Sequence, residues 1–276
     1  MSDWEGFMHE RERWQLIGAM LRERSVLTVR EIVAATGAST ATIRRDLVQL
    51  EETGQLRRVH GGVEAVDALA QRDLATRAFS DSRAIHVERK RAIARAAVGL
   101  CEDGESIIVN AGTTTYEMVG ALANRRLTVL TNSFPMAQSL VAGSENRVIL
   151  PGGEVYRKQG IVISPFDDDA IQHYTASKMF MSCFGLGPMG VIEGDPLIAR
   201  AEAKLLKRAE RLIVLVDSSK FERRGVIAVC PLSRIHTVIT DEDAPEASLD
   251  MLRSAGIEVL IAPRDASDAV VKVTAA

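Results

Sequence analysis

Ser39-Thr40-Ala41-Thr42-Ile43-Arg44-Arg45-Asp46-Leu47-Val48-Gln49-Leu50 is the stretch on which the reading of this chain turns. It reads as a helix with a polar entry and one apolar stripe. Ser39 is a good N-cap, because its hydroxyl can accept a bond from an otherwise orphaned amide of the first turn. Ile43, Leu47 and Leu50 recur at i, i+4 and i+7, so they share one face. At about 100° per residue, Ala41, Arg44, Arg45, Val48 and Gln49 fall on the other side, with Thr42 at its flank. Such a face suits the DNA major groove. Small side chains allow close approach, and arginine forms bidentate bonds to guanine or grips phosphate. An ordinary surface helix can carry the same two arginines, so the neighbouring segments decide.

Upstream, Arg11 to Glu23 has Trp14, Ile17 and Leu21 at helical spacing. Thr28-Val29-Arg30-Glu31 is a capping-box pattern, followed by apolar Ile32 and Val33. Gly37 is a natural C-terminal stop for this second helix. Two short helices joined by a tight glycine turn, the second with an arginine-bearing face, make a helix-turn-helix. Downstream, Gly54 breaks the helix. Leu56 and Val59 with Arg57, Arg58 and His60 predict a short strand or hairpin wing that contacts phosphates or the minor groove. His60 reads equally well as a turn histidine without a role in binding.

The run TVREIVAATGASTATIRRDLVQLEETGQLRRVHGG, residues 28–62, closely resembles the winged helix-turn-helix of the DeoR family of bacterial transcriptional regulators. The Thr42–Leu47 core, the Gly54-x-Leu56-x-Arg58 step and the His60-Gly61-Gly62 ending carry the match. The resemblance implies binding to double-stranded operator DNA with Ser39 to Gln49 in the major groove. The DNA-contacting set is then Ser39, Thr40, Ala41, Thr42, Arg44, Arg45 and Gln49, with Arg57, Arg58 and His60 from the wing.

The 276 residues suit two domains, and 46% hydrophobic with 26% charged residues is the composition of a globular protein. A net charge of −3 excludes a broadly basic nucleic-acid coat, and with it a nucleoid-type binder. Between Thr28 and Gly62 five arginines (30, 44, 45, 57, 58) face Glu31, Asp46, Glu51 and Glu52, so DNA binding must rest on the placement of charge. Cys101, Cys183 and Cys230 form no CxxC pair; core packing in a reducing cytosol fits them, and neither a metal nor a cofactor is expected. With no apolar run near transmembrane length and no signal-peptide pattern, the expected location is cytoplasmic, away from the membrane.

The domains read as a winged helix-turn-helix over 1–66, a linker over 67–87 and an α/β effector-binding and oligomerisation domain over 88–276. In Glu88 to Leu100, Ile93, Ala96, Ala97 and Leu100 form a stripe, and Arg89, Lys90, Arg91 and Arg95 stand off it, a cluster that could touch DNA but reads better as a solvated face. From Ser106 short apolar strands alternate with helices: 107–109, 127–130, 148–150, 178–183, 212–216, 238–239 and 257–261, with helices at Pro196–Arg208 and Pro245–Ala255 among others. Near-continuous apolar strands with intervening helices predict a Rossmann-like, mostly parallel sheet covered on both faces. Ligands bind beyond the carboxyl ends of such strands. There the chain places Asn110 to Thr115, Thr131-Asn132-Ser133, Pro151-Gly152-Gly153, Gly185 to Gly190 and Asp217-Ser218-Ser219-Lys220. Glycine allows close backbone approach and a helix N-terminus favours an anion, which predicts a pocket for a phosphorylated or polyhydroxylated ligand.

This half resembles the effector domain of the same family across Glu88 to Ala262, through Gly112-Thr113-Thr114-Thr115, Thr131-Asn132-Ser133, Gly152-Gly153, Glu202-Ala203-Lys204 and Asp217 to Lys220. The resemblance implies a fold related to ribose 5-phosphate isomerase and CoA transferase, and a sugar-phosphate effector. Its effector-binding set is Gly112, Thr113, Thr114, Thr115, Asn132, Gly152, Gly153, Gly185, Gly187, Glu202, Lys204, Asp217 and Lys220, with phosphate or sugar oxygens on 112–115 and Lys204. Two segments depart from the common pattern: Phe184 to Pro196, and Val162-Ile163-Ser164-Pro165-Phe166. Both resemble the family branch containing the L-ascorbate utilisation repressor, and hint at a sugar-acid phosphate or a phosphodiester.

The leading expectation is an oligomeric repressor of a carbohydrate operon, dimer or tetramer, released from DNA by a phosphorylated sugar or sugar acid. The rival is a sugar-phosphate isomerase with an appended DNA module, using Glu202 and Lys204 for enediol chemistry. Against the rival, His9, His60, His86, His173 and His236 are scattered, and no compact catalytic set is evident.

Overall fold

Capping signals and apolar stripes build residues 10–65 into three helices, α1 (Glu10–Glu23), α2 (Val29–Thr36) and α3 (Thr40–Glu52), beside a small sheet. The structure is a computed structural model describing residues 8–23, 26–53, 55–59, 61–65, 79–166, 169–221, 223–264 and 272–274. The chain divides into two units, Met1–Leu74 and Ala75–Ala276. The capping box forms as the sequence predicts: Glu31 N donates to Thr28 Oγ1 at 3.2 Å, and Thr28 N donates to the Glu31 carboxylate at 2.8 Å. Gly37 ends α2 at φ 68°, its amide donating to Val33 O. Ser39 caps α3 by accepting Thr42 N at 3.1 Å. Thr53 closes α3 through its amide on Gln49 O; Gly54, the expected breaker, lies outside the described residues.

A Cβ on Gly37 meets nothing within 4 Å, so only the left-handed backbone opposes a side chain there. Gly37→Ala is therefore expected to destabilise the N-terminal unit by about 1–2 kcal/mol. A urea midpoint unchanged from wild type would mean the α2–α3 turn does not require φ above zero.

Strands β1 (Val26–Thr28), β2 (Leu56–Val59) and β3 (Gly62–Ala65) form an antiparallel sheet in the order β1-β3-β2. The predicted wing is the β2–β3 hairpin. Three-residue β1 is too short for its alternation to be legible in the sequence. Gly62 makes the β1 pairing possible, because a Cβ there would lie 2.2 Å from Leu27 O. Ile17, Leu21, Leu27, Ile32, Ile43, Leu47, Leu50, Leu56 and Val63 form the core of this unit.

The second unit is built on eight strands: β4 (Ser106–Val109), β5 (Thr128–Thr131), β6 (Arg147–Ile149), β9 (Ala176–Met181), β12 (Ala209–Leu215), β14 (Thr237–Asp241), β15 (Glu258–Ala262) and β16 (Lys272–Thr274). Their order is β16-β15-β14-β12-β9-β4-β5-β6, parallel throughout except where β16 meets β15. Ile108, Met179, Met181 and Val214 pack into one core, while Ile107, Val109, Phe180, Ile213 and Leu215 pack into another. Successive side chains point to opposite faces, so both faces of the sheet are buried, which is why these strands read as unbroken apolar runs.

Two smaller antiparallel elements sit outside this sheet: the hairpin β7 (Glu154–Tyr156) with β8 (Ile161–Ile163), and β10 (Gly185–Gly187), β11 (Gly190–Glu193) and β13 (Ile227–Cys230). Gly185 to Gly190 is thus a hairpin, not an open strand-end loop. At Gly190, φ is 90° and a Cβ would lie 2.1 Å from Cys230 O, so the glycine serves strand pairing. Of the basic residues of helix Val87–Gly99, Arg91 and Arg95 are exposed as expected, and two differ. Lys90 is buried with Nζ donating to Ser82 O at 2.7 Å, and Arg89 is half-buried on Ser218 Oγ and Asp243. The three cysteines are buried in the cores; burial pushes the thiols of Cys101 and Cys230 up to about 12 and about 11. Among the described residues no helix is long and apolar enough to cross a membrane, and no cluster of acidic, His and Cys side chains could hold a metal ion.

Candidate functional site

The outer face of α3 carries exposed Thr40, Ala41, Arg44, Arg45 and Gln49, while Ile43, Leu47 and Leu50 are buried beneath it. Thr42 and Val48 are half-buried at its edges, and the Ser39 and Thr42 hydroxyls lie 2.9 Å apart. A cleft of about 370 Å³ separates α3 from the wing, lined by Arg44 and Val48 on one side and Arg58, Val59, Gly61 and Gly62 on the other. Arg57 is exposed on the same strand. His60 lies outside the described residues.

Three of the four acids of this segment, Glu31, Asp46 and Glu51, are engaged by groups other than Arg44 and Arg45. Asp46 is buried and accepts from Arg13 of α1 through Nε at 2.6 Å and a terminal nitrogen at 3.0 Å. That hydrogen bond raises the Arg13 pKa further above its ordinary value, against the cost of burial. Glu31 caps its own helix, and Glu51 accepts Arg58 N at 2.8 Å. Arg44 and Arg45 are left facing solvent from a helix of 13 residues, about 20 Å long, which the major groove accommodates.

In the second unit the sheet order sets β6, β5, β4, β9 and β12 side by side, so four of the five strand-end segments singled out above lie on one rim, with the β10–β11 hairpin following β9. They divide between two places. A cavity of about 230 Å³ is lined by Asn132, Tyr156, Ser164, Asp169, Arg200 and Lys204 among apolar Ile163, Leu197 and others. Lys204 Nζ pairs with Asp169 at 3.1 Å and also donates to Phe166 O. Of the expected effector residues only Asn132 and Lys204 line this cavity. Gly152 and Gly153 lie between two wall residues, Pro151 and Glu154.

The other place is a buried polar cluster. Asn110 Nδ2 donates to Glu202 Oε1 at 2.7 Å and to Ser182 O at 2.8 Å. Burial, and then the charge of Glu193, hold the Glu202 carboxyl well above the usual range; burial also raises Glu193, which accepts Phe184 N at 2.7 Å. Lys220 donates to Cys183 O at 3.0 Å, and burial, with Arg223 nearby, lowers its pKa. Burial works to raise Asp217, but Lys220 and the Ser219 hydroxyl more than offset it and hold it low. Burial lowers Lys90 to about 8, opposed by Asp217. Gly112 packs against Ser182, leaving no room for a Cβ. Thr114 and Thr115 are fully buried, and the Thr115 hydroxyl is spent on Asn110 O and Gly112 O, while Thr113 is half-buried. Gly185 and Gly187 belong to the β10 strand.

At these two places three buried polar atoms, Thr114 Oγ1, Asn132 Nδ2 and Glu202 Oε2, lack a hydrogen-bond partner among the described residues. Unsatisfied groups of this kind are costly unless a ligand or water completes them. The sequence reading misses Tyr156, Ser164, Asp169 and Arg200. Arg200 was within reach: it stands one helical turn before Lys204, on the face shared with Leu197, Ala201 and Leu205.

A family model described as the DeoR-like helix-turn-helix domain matches residues 13–68, and one described as the DeoR C-terminal sensor domain matches residues 85–242. The chain is 34% identical over 253 residues, 92% of its length and 99% of the relative's, to the HTH-type transcriptional regulator UlaR of Shigella dysenteriae serotype 1 (strain Sd197). The same identity and coverage hold for UlaR of Escherichia coli strain K12 / DH10B. Among solved structures, ribose 5-phosphate isomerase A from Neisseria gonorrhoeae aligns at a TM-score of 0.35 and 17% identity, covering 49% of this chain and 53% of that one. The isomerase from Methanocaldococcus jannaschii aligns at 0.39 and 15%, covering 68% and 98%. Near-full-length relatives are regulators, which decides between the two functional readings against the enzyme. With a helix-turn-helix at one end and a matching sensor domain at the other, this chain belongs to the DeoR family of transcriptional regulators.

Proposed function

We propose that the chain is a cytoplasmic, homo-oligomeric repressor of a carbohydrate operon, released from its operator by a phosphorylated sugar or sugar acid. The observation that carries the DNA half is the face of α3, where burial of Asp46 leaves Arg44 and Arg45 exposed beside a cleft that also holds Arg58. The effector half rests on the cavity lined by Lys204 and Asn132, where a cation borders a space of about 230 Å³, suited to one small ligand. An anionic group would compete with Asp169 for the Lys204 ammonium.

The test is retention of the promoter region beside its own gene at fixed salt, with and without ribose 5-phosphate, glucose 6-phosphate and 6-phosphogluconate. Retention with release by one compound is expected. No retention at any modest salt would remove the DNA assignment.

Lys204→Ala is expected to keep DNA retention within about twofold while raising the inducer concentration needed for release at least tenfold, about 1.4 kcal/mol. Collapse of DNA binding in that variant would make Lys204 a structural residue.

A further inference from the structure

The two ends of the β7–β8 hairpin have different neighbours. Its strands contribute Glu154, Tyr156 and Ile163 to the wall of the Lys204 cavity. At its turn, the carbonyl of Lys158 accepts the amide of Phe79 at 2.8 Å. Phe79 opens the short helix Phe79–Arg83, the first described element after the N-terminal unit. A first-turn amide has no partner inside its own helix, so the hairpin supplies what the helix cannot. The Phe79 ring meets the Tyr116 ring edge-on at 5.2 Å, and the Arg83 guanidinium lies 4.3 Å from the centre of the Tyr116 ring. The far end of the helix is also tied: Ser82 O accepts the ammonium of Lys90, which is 3% exposed.

The hairpin is fastened to the cavity segment as well. Val162 N donates to Asn132 O and Phe134 N donates to Gly160 O, both at 2.8 Å. Asn132 is also one of the residues lining the cavity. A ligand that engages Asn132 or displaces Tyr156 therefore acts on both strands of one small, two-stranded element. The hairpin forms its own two-stranded ladder outside the main sheet, and a lever built on it requires two positions, with the Lys158–Phe79 bond made or broken.

We propose that the β7–β8 hairpin is the lever that transmits occupancy of the Lys204 cavity to the Phe79–Arg83 helix, and so to the chain leading to the DNA-binding unit. This rests on the reading of that cavity as the effector site.

The test uses the full chain and an added side chain as the occupant. Ala201→Leu and Ser164→Leu each fill part of the cavity from a different wall. Hydrogen exchange at the Phe79 amide is expected to become at least fivefold faster in both, with the amides of β4 and β9 as protected as in wild type. A smaller change, or slower exchange, in a variant that keeps the β4 and β9 protection overturns the lever; two filling variants are made so that loss of the fold in one leaves the other to decide. Phe79→Pro removes the bonded amide at a helix position that tolerates proline, while Phe79→Ala removes the ring and keeps the amide. On retained promoter DNA, cavity filling is expected to lower retention at least fivefold in the wild-type and Phe79→Ala backgrounds and to have no effect with Phe79→Pro. If the unsubstituted chain retains no DNA, the repressor reading fails, and the exchange result still decides the lever.

Discussion

Asp46→Ala is expected to cost the N-terminal unit about 3–5 kcal/mol, because it strands the buried Arg13 guanidinium without its carboxylate. The pair joins α1 to α3. Both tryptophans, Trp4 and Trp14, lie in the N-terminal unit, so tryptophan emission during urea unfolding reports that unit alone. The midpoint should fall sharply, and DNA retention should fall with it through loss of folded protein. The paired replacement Arg13→Met with Asp46→Leu should recover most of the loss, since apolar residues of similar volume often substitute for a buried ion pair at little cost. A shift below about 1 kcal/mol in Asp46→Ala, the range of an exposed pair, would mean that solvent reaches Arg13.

The second large effect concerns affinity. Arg44→Ala and Arg45→Ala are each expected to weaken operator binding by about 1–3 kcal/mol, roughly five- to 150-fold, if the arginine makes a bidentate base contact. Arg44 shares its cleft with Arg58 of the wing, whereas Arg45 lies outside it. A base contact relaxes specificity at one operator position when removed. A phosphate contact instead weakens all sequences alike and lowers the salt slope by about one. Binding titrations at three salt concentrations on the operator and on single-base variants separate the two. Unchanged affinity in both substitutions would mean that another face of α3, or another helix, meets the DNA.

What the sequence by itself determined is what local rules govern. The capping box at Thr28, the left-handed Gly37, the Ser39 cap and the Ile43–Leu47–Leu50 stripe need only neighbours within one or two turns, and all four stand as read. The parallel strands were legible because burial on both faces makes them continuously apolar. The fate of the charges was decided only by tertiary structure. Asp46 sits beside Arg44 and Arg45 in the chain, yet its partner is 33 residues away on α1, and no local pattern names it. Lys90 looks like its exposed neighbours until Ser82 O is seen to take its ammonium.

The effector motif shows the same division. Glu202 and Lys204 read as one functional pair, but two residues along a helix turn the side chain by about 200°. Lys204 therefore faces the cavity while Glu202 is buried against Asn110. Tyr156, Ser164 and Asp169 join Lys204 only because the β7–β8 hairpin and the segment after it fold beside the helix. Periodicity tells which residues share a face of one element; which faces meet is set by packing between elements far apart in sequence.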